Sequence, residues 1–212
     1  MKIVMMTLGM MQEQSYFIID EATKRAFVVD PGDQADKLLK YINQEGLKLE
    51  KILLTHGHFD HIGAVEALRE ATGATVICHT EGKIYLEDIS YNLSAMTGEP
   101  FTLKADRYVA DGEHIKMEGT PIDLEVVYAP GHTLDGIAFY EASQKALFVG
   151  DIIFRGSIGR TDFKGGNSVQ LITSIKNKIF TLPNDTVIYP GHGPSTSVGH
   201  EKNTNAYFNM FE

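Results

Sequence analysis

An α+β protein of two sheets packed face to face, with helices on their outer faces, is what the sequence predicts. Short β-branched, alternating segments recur in both halves of the chain. Each strand-rich half also carries segments of helical period. Composition agrees: 212 residues, 43% hydrophobic and 22% charged, suit a folded chain with a substantial core and exclude global disorder. A single domain over 1–212 is expected.

The first thirty residues read as three strands, Ile3–Leu8, Ser15–Asp20 and Ala26–Asp30, the last stopped by Pro31-Gly32-Asp33. Gln34–Glu45 has Leu38, Leu39, Tyr41 and Ile42 at helical spacing, and Gly46 can end it. Lys51–Leu54 is a short buried-type strand, Thr55–His61 a polar turn, and Ile62–Ala71 a second helix ended by Gly73. Ala74–Cys78 returns to strand and Gly82–Leu86 is a short helix, whereas 88–105 has weak periodicity and reads as a long loop. The second half offers strands at Arg107–Val109, Ile115–Met117, Ile122–Ala129, Gly136–Glu141 and Lys145–Val149. A Gly-rich loop, Gly150–Gly166, follows, then a helix at Ser168–Thr181, a strand at Thr186–Tyr189 and a helical tail.

The formal net charge of −9 and the lack of any Lys/Arg run argue against a nucleic-acid partner. Cys78 is the single cysteine, so an internal disulfide is excluded; in its apolar strand it reads as core. No apolar run approaches the ~18 residues that span a bilayer, and the short apolar start lacks the features of a signal peptide. These point to a soluble cytoplasmic protein with no membrane partner. Met5, Met6, Met10 and Met11 read as packing, and His79, His114 and His200 as polar surface residues.

The chemistry concentrates in Thr55-His56-Gly57-His58-Phe59-Asp60-His61, directly after an apolar strand. Imidazole and carboxylate are ligands that catalytic zinc and iron accept, and Gly57 lets the backbone bend sharply between two of them. Four such side chains in one tight loop cannot all surround one ion without strain, so the spacing suggests two ions. Three later segments repeat the pattern of strand, Gly-containing turn and metal-type side chain. They end in His132, after Pro130-Gly131, in Asp151, after Gly150, and in His192, after Pro190-Gly191. A structural zinc site would prefer several thiolates.

The series His56-x-His58-x-Asp60-His61, His132, Asp151 and His192 resembles the metallo-β-lactamase-fold hydrolases over nearly the whole chain. The resemblance implies an α+β, four-layer αβ/βα sandwich of two mixed sheets with helices on the outer faces. It also implies two divalent metal ions, zinc first, with iron or manganese as alternatives. His56, His58 and His132 would hold one ion, and Asp60, His61 and His192 the other. Asp151 would bridge them, and Asp30 would hydrogen-bond the ligands from beneath. Coordination lowers the pKa of water from ~15.7 to about 7, so hydroxide becomes the nucleophile, with Asp60 able to orient it.

The Gly156–Gly166 stretch and the Pro190-Gly191-His192-Gly193 ending resemble the compact glyoxalase II-like (hydroxyacylglutathione hydrolase) branch. That resemblance implies hydrolysis of a small-molecule thioester or related ester, with Arg160 and Lys164 as substrate anchors. The alternative for Arg160 is a loop ion pair with Asp162. The chain stops at Glu212, leaving no C-terminal helical glutathione-binding domain, and Tyr189, Tyr207 or Phe208 could wall the pocket instead. A thiolate leaving group, with a conjugate acid of pKa ~8.5, needs no strong general acid, and none stands out. Rival readings are a mononuclear-iron persulfide dioxygenase, which shares a Gly-Arg-Thr-Asp-Phe stretch like Gly159–Phe163, and a non-catalytic metal-binding domain. A flavodiiron-type oxygen reductase and an RNA-processing nuclease fit less well, the first because it places Glu where His58 stands.

Overall fold

The computed structural model describes residues 1–209. The last part of the expected helical tail, 210–212, lies outside the described residues. The chain forms two compact units, residues 1–109 with 116–122, and residues 110–115 with 123 onward.

The first unit is built on a six-stranded sheet of order β1-β2-β3-β4-β5-β6. Its strands are β1 (Lys2–Leu8), β2 (Glu13–Ile19), β3 (Arg25–Val29), β4 (Lys48–Leu53), β5 (Thr75–His79) and β6 (Arg107–Val109). β1 to β3 pair antiparallel, and β3 to β6 pair parallel. Parallel strands need crossovers, supplied here by α1 (Ala35–Glu45), by α2 (Phe59–Ile62) with α3 (Val65–Thr72), and by α4 (Gly82–Glu87) with a 3-10 turn at Ser94–Met96. Leu38 and Ile42 of α1 join Val65 and Leu68 of α3 in one core with Phe17, Val28, Ile52 and Val76. Gly46 and Gly73 end α1 and α3 at φ 63° and 71°, the left-handed geometry that glycine takes without a Cβ penalty.

Three expectations change here. Half of the polar turn is helical: His58 is the extended residue before α2, and its carbonyl accepts the His61 N–H at 3.0 Å. His79 is buried, because it is the last residue of a strand buried from Val76 onward, and its Nδ1 accepts the Glu81 N–H at 3.2 Å. Met6 packs against the core, but Met10 is 98% exposed, with Met5 and Met11 also open. Met10 and Met11 sit in the β1–β2 turn, beyond the reach of the sheet.

The second unit carries a sheet of order β14-β13-β10-β9-β8-β7. These are β7 (His114–Lys116), β8 (Asp123–Tyr128), β9 (Ile137–Glu141), β10 (Ala146–Gly150), β13 (Val187–Pro190) and β14 (Thr196–Ser197). β9 is antiparallel to both β8 and β10, and β13 is parallel to β10. β8, β10 and β13 therefore run the same way and finish at one rim. The expected long helix is α5 (Ser168–Ser174), continued by a π-helical stretch, Ile175–Ile179, whose wider turn buries both of those isoleucines. The helical tail is α6 (Val198–Thr204) and α7 (Ala206–Asn209). Phe208 of the tail packs edge-on against Phe180 at 4.8 Å.

The Gly150–Gly166 segment is not all loop. It contains a small hairpin, β11 (Ile153–Phe154) and β12 (Ser157–Ile158), turning at Gly156. A fully buried carboxylate, Glu201 of α6, holds this hairpin down. Its Oε2 accepts from Gly156 N–H at 2.9 Å and Asn205 Nδ2 at 2.8 Å, and its Oε1 accepts from Thr196 Oγ1 at 2.5 Å. Glu201→Ala removes the shared acceptor of three hydrogen bonds from a fully buried position, so a loss on the order of 3 kcal/mol is expected, read as a lower urea midpoint. No helix among the described residues is long and apolar enough to cross a membrane.

Candidate metal centre

In the first unit the site begins where β3 and β4 end side by side. Asp30 follows β3 at φ 47°, a left-handed conformation that Asp tolerates better than most residues. Its buried carboxylate accepts three bonds: Thr55 N–H at 2.7 Å, Thr55 Oγ1 at 2.5 Å and His61 Nδ1 at 3.0 Å. The Asp30 carbonyl accepts from Ser15 Oγ at 2.5 Å. Thr55 Oγ1 also lies 3.1 Å from His56 Nδ1, and His56 Nε2 lies 3.1 Å from His58 Nδ1. His61 Nε2 faces Asp60 Oδ2 at 3.9 Å. His56, His58 and His61 are all buried, and Asp30, His56 and His61 offer ligand-type atoms within 4.8 Å of one another.

Two glycines allow α2 to deliver Asp60 and His61 here. A Cβ on Gly32 would stand 1.7 Å from the Asp60 carbonyl oxygen, and one on Gly63 would stand 2.3 Å from the Gly32 carbonyl oxygen. Glu13 is a further buried carboxylate, with Oε1 at 4.0 Å from His61 Nδ1. Sequence reading missed it; the available signal was a charged residue opening an otherwise uncharged strand.

In the second unit the shared rim of β8, β10 and β13 supplies His132, Asp151 and His192. The Pro130-Gly131 turn is pressed onto α5: Asn167 N–H donates to Gly131 O at 2.7 Å, and Ser174 Oγ donates to Pro130 O at 2.8 Å. Gly131 has φ 136°, and a Cβ there would lie 2.3 Å from Leu171 N. His132 Nδ1 lies 2.7 Å from the Arg160 carbonyl oxygen. Asp151 Oδ2 stands 3.8 Å from His132 Nε2 and 3.7 Å from His192 Nε2. Phe154 of the hairpin is edge-on to His192 at 6.3 Å.

The Arg160 guanidinium makes two 2.7 Å bonds to the Asp162 carboxylate and lies 4.0 Å over the Phe163 ring. The bond from Arg160 holds Asp162 down to a pKa of about 2, so the pair is ionised at neutral pH. Arg160 thus meets the loop partner weighed from sequence, and its backbone carbonyl, rather than its charge, reaches His132. Lys164 is exposed in the same loop. Tyr189 stacks on Phe148 at 5.1 Å, and burial raises its hydroxyl pKa; Tyr207 is exposed.

These residues fit a divalent cation, by one geometry that recurs in both units. A carbonyl or a carboxylate can only accept, so His132 Nδ1 carries its proton toward Arg160 O, and His61 Nδ1 carries its proton toward Asp30. In the neutral ring the lone pair is then on Nε2. Each Nε2 faces a carboxylate oxygen, at 3.8 Å for His132 and 3.9 Å for His61. Two acceptors at that distance do not hydrogen-bond. They can share an ion, since bonds of about 2.0–2.2 Å to each span the gap.

Residues 8–192 match the family model described as the metallo-beta-lactamase superfamily. A relative from Bacillus subtilis, named probable metallo-hydrolase YqgX, is 38% identical over 207 residues, covering 97% of each chain. The Haemophilus influenzae protein named hydroxyacylglutathione hydrolase GloC is 36% identical over 203 residues, covering 93% of each. The crystal structure titled BLEG-1 B3 metallo-beta-lactamase superposes with a TM-score of 0.93 at 37% identity, over 98% of this chain and 100% of that one. The structure titled TTHA1623 in a di-iron-bound form superposes at 0.84 with 35% identity, over 96% and 99%. The chain therefore has the metallo-beta-lactamase fold and belongs to the metallo-beta-lactamase superfamily, among its glyoxalase II-like members.

Proposed function

We propose that this protein is a dinuclear metal-dependent hydrolase that cleaves a small-molecule thioester of the hydroxyacylglutathione kind. The observation that carries the reading is the recurrent pairing of an oriented imidazole Nε2 with a carboxylate oxygen, His132 with Asp151 and His61 with Asp60. The full-length likeness to a protein named hydroxyacylglutathione hydrolase supports the substrate class.

In this reading His56, His58 and His132 would hold one ion, Asp60, His61 and His192 would hold the other, and Asp151 would serve both. The ions would be zinc, or iron or manganese by availability. When bound, they supply an acidified water and polarise the substrate carbonyl. Asp60 orients the attacking water through its carboxylate. Asp30 and the Arg160 carbonyl keep His61 and His132 in the tautomer that offers Nε2. Arg160 and Lys164 bring two cations to the substrate's anionic end, Arg160 by exchanging Asp162 for it. The thiolate leaves without a protonating residue, because thiols are acidic enough to depart as anions. The net charge of −9 disfavours nucleic acid as the substrate.

Elemental analysis of protein purified without added metal, paired with two assays, tests this. Two ions per chain and loss of thioester absorbance with S-lactoylglutathione are expected. One iron per chain with oxygen uptake on glutathione persulfide would instead identify a dioxygenase. Inertness of the metal-loaded protein in both assays would leave a metal-binding domain.

A further inference from the structure

We infer that the Thr55 hydroxyl is a positioning residue that carries the influence of Asp30 to His56, so that one carboxylate sets the ligand atoms of two histidines. This rests on the metal-centre reading above and adds a residue to it. The deduction is one of proton direction. The Asp30 carboxyl group takes the Thr55 N–H on Oδ1 and meets the Thr55 hydroxyl with Oδ2, so at 2.5 Å the single hydroxyl proton points to Oδ2. The Thr55 oxygen is then left as an acceptor, and at 3.1 Å it takes the proton of His56 Nδ1. In the neutral ring Nε2 must bear the lone pair. His56 Nε2 lies 3.1 Å from His58 Nδ1, so in the metal-free protein it accepts the His58 Nδ1 proton. The same Oδ2 of Asp30 accepts directly from His61 Nδ1 at 3.0 Å, which fixes His61 without Thr55.

Asp30 thus reaches His61 in one step and His56 in two. In the proposed centre those histidines belong to different ions, so loss of the hydroxyl should affect one ion and spare the other. A serine can take the same part; valine, of nearly the same shape, cannot.

The test is nitrogen-15 NMR of the imidazoles in metal-free protein, followed by competition of zinc binding against a chelator. Wild type should show His56 and His61 both protonated on Nδ1. In Thr55→Val, His56 should lose the Nδ1 preference while His61 keeps it, and one of the two ions should bind about 10–100-fold more weakly, the usual cost of losing an outer partner of a metal-bound histidine. Thr55→Ser should restore both readouts. His56 protonated on Nε2 in wild type, or a Thr55→Val protein with unchanged His56 tautomer and zinc affinity, would overturn the inference. If Thr55→Val does not fold, the wild-type tautomer alone decides. A wild type that takes up no metal would defeat the functional reading, while the NMR arm would still judge Thr55.

Discussion

Asp151→Ala is expected to abolish thioester hydrolysis and to lower metal content in the same variant. One oxygen, Oδ2, stands at 3.8 Å from His132 Nε2 and 3.7 Å from His192 Nε2. Removing it takes from both imidazoles the anion that would share a cation with them. Losing even an indirect partner of a metal ligand costs 10–100-fold, so kcat/KM should fall by more than about a hundredfold. The fold should survive, because the β10–β13 ladder and the Glu201 network do not involve this carboxylate. Plasma emission analysis and steady-state kinetics on one preparation give the answer. Full activity with two ions bound would refute a bridging role.

Gly32→Ala should be nearly as damaging from the other unit. Its methyl group would sit 1.7 Å from the Asp60 carbonyl oxygen and 2.7 Å from Glu13 Oε2, and the first of these is backbone, which cannot rotate away. Either α2 shifts, carrying Asp60 and His61 with it, or the Pro31-Gly32 turn does. The turn is held because Ala64 N–H donates to Pro31 O at 2.9 Å. Overpacking of this kind costs about 1–3 kcal/mol, and the displaced ligands should lower metal occupancy as well. Thermal unfolding and metal analysis together would show it; a variant with wild-type stability and two ions would mean that α2 has slack.

Most of the architecture was legible because strand and helix periods differ and Gly and Pro mark the joints. The strands of both sheets fall on expected segments, with ends adjusted by a few residues, except β14, whose two residues Thr196–Ser197 lie where a helical tail was expected. The candidate ligands of the second unit stand out in the sequence for another reason: His132, Asp151 and His192 each follow an apolar strand and a glycine, and β8, β10 and β13, running the same way, end at one rim of their sheet. What stayed hidden depends on approach in three dimensions. Glu13 looks like any charged residue until β2 is seen to be wholly buried. Arg160 advertises a charge, yet its carbonyl oxygen orients His132, and every residue has a carbonyl. Thr55 sits inside the motif, but its role needs Asp30, twenty-five positions away, at bonding distance. His79 reads as surface because a polar turn follows it, whereas its strand takes it inside.

The parallel run from β3 to β6 also determines where this enzyme can be handled. Asp30 and the 55–61 segment lie past the carboxyl ends of β3 and β4, so the corners that introduce β4 and β5 belong to the opposite edge of that sheet. Those corners are Gly46 and Gly73, where an added side-chain atom would meet nothing within 4 Å. Both glycines hold a left-handed φ and should stay, but a fluorophore placed on an exposed neighbour, Glu45 or Glu70, would report from that opposite edge and leave the chemistry at the far edge undisturbed.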